Sequence, residues 1–186
     1  MPYDPPPELA GLSLSQIAEQ VAQRKLPPVE TWSPETETES LMRIAADGTW
    51  FHDGGVIKRE GMVRAFAGLL TADGSGQHWL VTPYEKSRIE VEDAAFIAVD
   101  AVERDGSVAF RLNTDELVVA GPHHPIIARG DTDRPRLYLA VRRGCEARLN
   151  RSTYEQLAEI ALAQGDDWTL TSGGETFSLL PKPEST

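Results

Sequence analysis

From residue 41 onward, apolar positions come in short bursts separated by Gly- and Asp-rich turns, which is a strand pattern. Residues 41–45 and 49–52 flank Asp47-Gly48, a hairpin signal. A helical stretch follows over residues 60–70, with Val63, Phe66, Ala67 and Leu70 on one face. Residues 78–82 read as a strand stopped by Pro83, and residues 88–92 alternate strictly, with Ile89 and Val91 inward. The continuous apolar run 94–99 fits a strand buried on both faces, and Asp105-Gly106 turns it into a second hairpin with residues 108–112. Shorter strands are predicted over 117–119 and 126–129, then 137–141 and 146–149. A last helix begins with a Ser152/Glu155 capping box and ends at Gly165, and a hairpin around Gly173-Gly174 closes the chain.

Before residue 41 the pattern is sparser. One helix is predicted, opened by Ser13 and Gln16, with Leu14, Ile17, Ala18 and Val21 on its apolar stripe and Pro27-Pro28 at its end. Residues 34–40 read as an exposed, acidic linker. The expected organisation is therefore a tail with one helix and a linker (1–40), a first α+β domain (41–92) and a second (93–186).

The two domains are expected to be related through a strand–strand–helix–strand unit present twice. In the first copy, Ile57-Lys58-Arg59 precedes a helix and Trp79-Leu80-Val81-Thr82 follows it. In the second, Leu149-Asn150-Arg151 precedes a helix and Trp168-Thr169-Leu170-Thr171 follows it. The fold class is α+β.

Charge narrows the function. Among 186 residues, 29 acids face 18 bases, a formal net charge of -11. Such a surface repels phosphate backbones and anionic lipid, so neither nucleic acid nor membrane is expected as a partner. The single cysteine, Cys145, rules out an intrachain disulfide. With no secretory signal and no apolar run of membrane-spanning length, a soluble cytoplasmic protein is expected. Self-association into a homodimer through an exposed strand stays open.

No complete catalytic motif is present, and neither metal nor cofactor is predicted. The informative feature is where the cations sit: Lys58 and Arg59 precede one helix, and Arg148 and Arg151 precede the other. Bases at a helix N-terminus are mildly unfavourable unless an anion is shared with the backbone amides. Arg142 and Arg143 add to the second cluster. The alternative is a surface network with Glu60, Glu146 and Glu155. On the 85–93 segment, Arg88, Glu90 and Glu92 share one strand face, as an acid–base ladder or a solvated one. The four tryptophans read first as core residues, and Trp50, beside His52, as a surface for a planar ligand. Cys145 reads as packing, and Asp131-Thr132-Asp133 as a turn.

Several phrases together resemble a bacterial family, the domain of unknown function 1285. They are Met42-Arg43-Ile44, Asp47 through His52, Leu80 through Lys86, Arg88 through Asp93, Phe96 through Asp100, His124-Pro125, and Gly144 through Leu149. The resemblance spans roughly residues 26–165. It implies two related α+β domains, the second loosely like a pleckstrin-homology fold. It also implies a nucleotide-like ligand at the domain interface and a signalling role. The chain departs from the family with Val56 in place of proline, Cys145 in place of leucine, and a less apolar 34–40 stretch. The leading expectation is a non-enzymatic regulatory module holding a small anionic ligand. Lys58, Arg59, Arg148 and Arg151 would contact the anion, with Lys86 and Arg88 flanking it and Trp50 or His52 on a ring. The alternatives are a hydrolase using Glu85, Glu90 or Glu92 with His52, and a protein–protein adaptor without a small ligand.

Overall fold

The structure, a computed structural model, describes residues 8–183. Helix α1 (Leu14–Gln23) opens with the predicted capping box: Ser13 accepts from the Gln16 amide, and Gln16 Oε1 accepts from Ser13 N–H at 2.8 Å. Its apolar side does not pack on the nearest domain in sequence. Leu9, Leu12 and Ile17 instead join Ala109 and Leu117 on the second domain.

The stretch 34–40 is not a linker. Strand β1 (Thr36–Ile44) begins inside it and runs parallel to β6 (Glu85–Val91). The acids that gave it a solvated look are paired across the strands: Lys86 and Arg88 hold Glu37, and Arg88 also holds Glu39. Thr38 and Ser87 share a hydroxyl hydrogen bond of 2.6 Å between them.

The first sheet also contains β2 (Trp50–His52), β3 (Gly55–Val56), β4 (Leu70–Ala72) and β5 (His78–Val81), in the order β3-β2-β1-β6-β5-β4. Helix α2 (Glu60–Ala67) connects β3 to β4 and stops before Leu70, so the end of the predicted helix is β4. The second sheet contains β7 (Phe96–Arg104), β8 (Ser107–Leu112), β9 (Leu117–Val119), β10 (Ile126–Gly130), β11 (Pro135–Arg142) and β12 (Cys145–Leu149). Read from β9, its order is β9-β8-β7-β12-β11-β10. Each sheet is thus two antiparallel three-strand meanders joined by one parallel pair, β1 with β6 and β7 with β12.

The chain is therefore a two-domain α+β protein whose sheets share one strand order. Helix α3 (Arg151–Gln164) and the hairpin β13 (Thr169–Ser172)–β14 (Glu175–Ser178) complete the second domain. Strand–strand–helix–strand recurs as β2-β3-α2-β4 and β11-β12-α3-β13. The sheets add a longer correspondence, in which α2 lies between two meanders and α3 follows both. Trp79 and Trp168 are consequently not equivalent. Trp79 is buried in β5, whereas Trp168 precedes β13 at φ +52 and is 42% exposed, so it is not a core residue. Helix α3 is capped by Asn150, which accepts from Thr153 N–H at 2.9 Å, and not by Ser152, which lies two residues later, inside the helix.

One core runs through both domains. Ile44, Trp50, Leu70 and Ile89 from the first sheet meet Phe96, Phe110 and Leu139 from the second sheet and Leu157 from α3. Burying each such side chain contributes roughly 1.5–3 kcal/mol, so the two domains stabilise one another. Two turns lock the contact. Gly48, at φ +90, comes so close to the second domain that an added Cβ would lie 2.7 Å from Ile97 Cγ1. Gly144, at φ +79, seats the β11–β12 turn on β4, where an added Cβ would lie 2.5 Å from Ala72 O. Beside it Arg143 O accepts from Ala72 N–H at 2.8 Å.

Candidate functional site

Beside the Gly48 contact lies a cleft of about 320 Å³. The β1–β2 turn and Trp50 form one wall. Ile57, Lys58, Glu60, Val63 and Arg64, at the start of α2, form another. Asn113 and Asp115, from the turn between β8 and β9, close it from the second domain. Its size and its place between domains suit a small ligand.

The charges on its walls are unequal in availability. Glu60 pairs with Arg64 within α2, and Asp115 accepts from Arg111 Nη2 at 2.7 Å. Lys58 makes no ion pair among the described residues. Asn113 Oδ1 is occupied by the Ile97 amide at 3.1 Å, which turns its amide group toward donation. Arg59, at the N-cap of α2, supplies no side-chain acceptor to the first helical turn. Trp50 is 2% exposed, stacks on Phe66 with centroids 6.4 Å apart, and its buried indole N–H has no acceptor among the described residues. An unpaired buried donor costs about 1–3 kcal/mol. Two donors of the cleft, the Lys58 ammonium and the Trp50 indole N–H, are thus without a partner among the described residues.

Of the eight predicted site residues, the structure brings Trp50 and Lys58 together here. Trp50 forms the floor and does not offer a free ring, because Phe66 covers one face. Arg59 is exposed at the helix start and is not among the residues that line this cleft. Lys86 and Arg88 lie across the first sheet, stacked 4.2 and 4.9 Å over the Trp79 ring and tied to Glu37. Arg148 donates to Asp93 Oδ2 at 2.7 Å, and Arg151, with its side chain 93% exposed, pairs with Glu155 on its own helix. The four cations do not converge, because each helix start faces its own surroundings.

The arginines of the second cluster serve the domain contact. Arg142 donates to Ala67 O at 3.1 Å and Arg143 to Gly68 O at 2.8 Å, at the C-terminal end of α2 where cations are favoured. Arg142 and Arg24 both pair with Glu116, which is 4% exposed. Arg143 also holds Glu30, whose carboxyl it draws below its ordinary range through a hydrogen bond.

The hydrolase arrangement is not assembled. His52 pairs with Met42 and so shares the Met42–Ile89 face, while Glu90 aligns with Arg43 and Phe51 on the other. Glu92 is tied to Arg43 on that second face, and Glu85 sits at the far end of β6. A shallow groove of about 530 Å³ on that face is lined by Arg43, Phe51, Arg88 and Glu90 and rimmed by exposed Leu41. Its cations are already paired. Among the described residues, no group of three or more His, Cys, Asp or Glu could hold a metal ion. Cys145 is buried, and its thiol is pushed up to about 12 by desolvation, consistent with packing.

Asn113 and Asp115 escaped the sequence reading, since nothing in their own turn marks them. Only the approach of Gly48 brings that turn to the cleft.

Fold and cleft together define a two-domain α+β protein with a donor-rich pocket between its domains. Residues 27–94 match "Domain of unknown function (DUF1285), N-terminal domain", and residues 95–179 match "Protein of unknown function (DUF1285), C-terminal domain". The chain belongs to the DUF1285 family. It is similar to a DUF1285 family protein from Silicibacter pomeroyi DSS-3, with 34% identity over 91% of this chain and 95% of that one, at a TM-score of 0.75. A DUF1285 family protein from Shewanella baltica OS155 is 26% identical over 64% of this chain and 91% of that one, at a TM-score of 0.54. No curated protein matches significantly. Among the described residues no helix is long and apolar enough to cross a membrane.

Proposed function

We propose that this protein is a ligand-binding regulatory module that holds a small anionic ligand, nucleotide-like in class, in the cleft between its domains. The observation that carries the proposal is Lys58: an ammonium group without an ion pair among the described residues, on the wall of an interdomain cleft, in a protein of net charge -11. In such a field a lone cation is where a small anion is held, and the first turn of α2 adds amide donors beside it. The acidic surface supports a small molecule over nucleic acid or anionic membrane as partner. We include in the proposal a signalling role in the cytoplasm and a loose pleckstrin-homology likeness of the second domain.

Thermal-shift titration against nucleotides and inorganic phosphates tests it. A ligand at 100 times its dissociation constant adds about 2.7 kcal/mol, a readily measured rise in melting temperature. Lys58→Ala is expected to abolish that rise while leaving the unliganded melting temperature within about 1 °C, because the side chain is exposed. If no panel member shifts the wild type, the module reading fails and the adaptor reading replaces it.

A further inference from the structure

We infer that Trp50 is a specificity residue of the cleft: its indole N–H donates to an uncharged acceptor on the inner end of the ligand whose anionic end Lys58 holds. The inference rests on the binding reading above and adds the ligand's second requirement. Trp50 and Trp79 are both buried in the first domain, at 2% and 6% exposure. Trp79 Nε1 donates to Asp73 Oδ2 at 3.0 Å, whereas Trp50 Nε1 has no acceptor among the described residues. Indole N–H can only donate, and buried tryptophans normally find a partner. Apart from the ion-paired cluster of Arg24, Glu116 and Arg142, the other buried side-chain atoms without a hydrogen bond among the described residues belong to Thr114 and Thr153, neither of which lines either cleft. Trp50 alone among them does.

The surroundings choose the acceptor's charge. Trp50 stacks on Phe66, and Ile57 and Val63 line the same cleft, so desolvating an anion there costs more than desolvating a neutral carbonyl or ring nitrogen. Lys58 is exposed, so a charged group there keeps contact with water. The ligand class is therefore a compound with an anionic group at one end and a neutral acceptor at the other. A free inorganic anion satisfies only Lys58.

The test uses the full chain with two probes, uridine monophosphate and inorganic phosphate, measured by calorimetry. Uridine monophosphate is expected to bind more tightly than phosphate. Trp50→Phe should weaken uridine monophosphate about tenfold and leave phosphate unchanged, while Lys58→Ala weakens both. A second measurement covers a poorly folded variant. In wild-type ¹⁵N-labelled protein, the Trp50 indole resonance should move downfield with uridine monophosphate, while that of Trp79, bonded to Asp73, stays fixed. An unmoved Trp50 resonance, or a Trp50→Phe variant that binds uridine monophosphate as the wild type does, overturns the inference and leaves the Lys58 site standing. Absence of wild-type binding to either probe overturns the site itself.

Discussion

Gly144→Ala tests the claim that the β11–β12 turn is seated on the backbone of the first domain. Two costs add. The residue sits at φ +79, where an L side chain is disfavoured by about 1–2 kcal/mol. The new Cβ would also lie 2.5 Å from Ala72 O and 3.3 Å from the Ala72 carbonyl carbon. No side chain can swing away there, so the turn must lift. Lifting it strains the Ala72 N–H to Arg143 O hydrogen bond of 2.8 Å, a contribution of about 0.5–1.5 kcal/mol. The total is about 2.5 kcal/mol, or roughly 5–10 °C in melting temperature for a chain of this length.

Gly106→Ala is the matched control. It has φ +80 and nothing within 4 Å of the added Cβ, so it bears only the backbone cost, roughly 3–6 °C. The smaller unfolded-state entropy of alanine favours both variants equally and cancels in the comparison. Calorimetric melting of the two variants reads the interface directly. If they melt within about 1 °C of one another, the turn is not pressed on β4, and the argument that the domains are locked there is refuted.

Asp93 and Cys145 give two further checks. Burial alone would raise the Asp93 carboxyl, but hydrogen bonds from Tyr138 and Arg148 outweigh it and the net shift is downward. A depressed carboxyl adds stability above its unfolded value near 3.9 and loses it as pH falls through the folded value. Asp93→Asn should therefore melt below wild type at pH 7, with the gap closing toward pH 3; a gap independent of pH contradicts this. Cys145, buried and with its thiol at about 12, should not react with a disulfide reagent at pH 8 until denaturant is added. Reaction in the native state would remove it from the core.

What the sequence could reveal followed from how local each signal is. Asp47-Gly48 and Asp105-Gly106 mark their hairpins within four residues, and Ser13 with Gln16 marks a helix start within one turn. The start of β1 was hidden because its evidence is on β6. Glu37 and Glu39 read as solvated acids until Lys86 and Arg88 stand opposite them. The basic cluster at residues 142–151 misled for the same reason. Its arginines face Glu116, Asp93 and the carbonyls at the end of α2, and no spacing in the sequence points to those acceptors. Lys58 and Trp50 were legible because helix start and hairpin are local features of one domain. Asn113 and Asp115 are supplied by the other domain and were not.

The same contacts argue for a cleft formed before any ligand arrives. Helix α2 begins at the cleft with Glu60, two residues after Lys58, and ends under Arg142 and Arg143 of the second domain. Gly48 rests on Ile97 and Asn113 at one edge of the interface, and Gly144 rests on Ala72 at another. Asp93, in the segment between the two sheets, is held by Tyr138 at 2.6 Å and by Arg148. A hinge motion opening the cleft would have to break these contacts together with a continuous core, at a cost of many kcal/mol. The ligand proposed for the cleft would therefore be met by side-chain adjustment around Lys58 and Asn113 and not by domain closure. A pocket of this kind loses little conformational entropy on binding, which favours affinity despite its modest size.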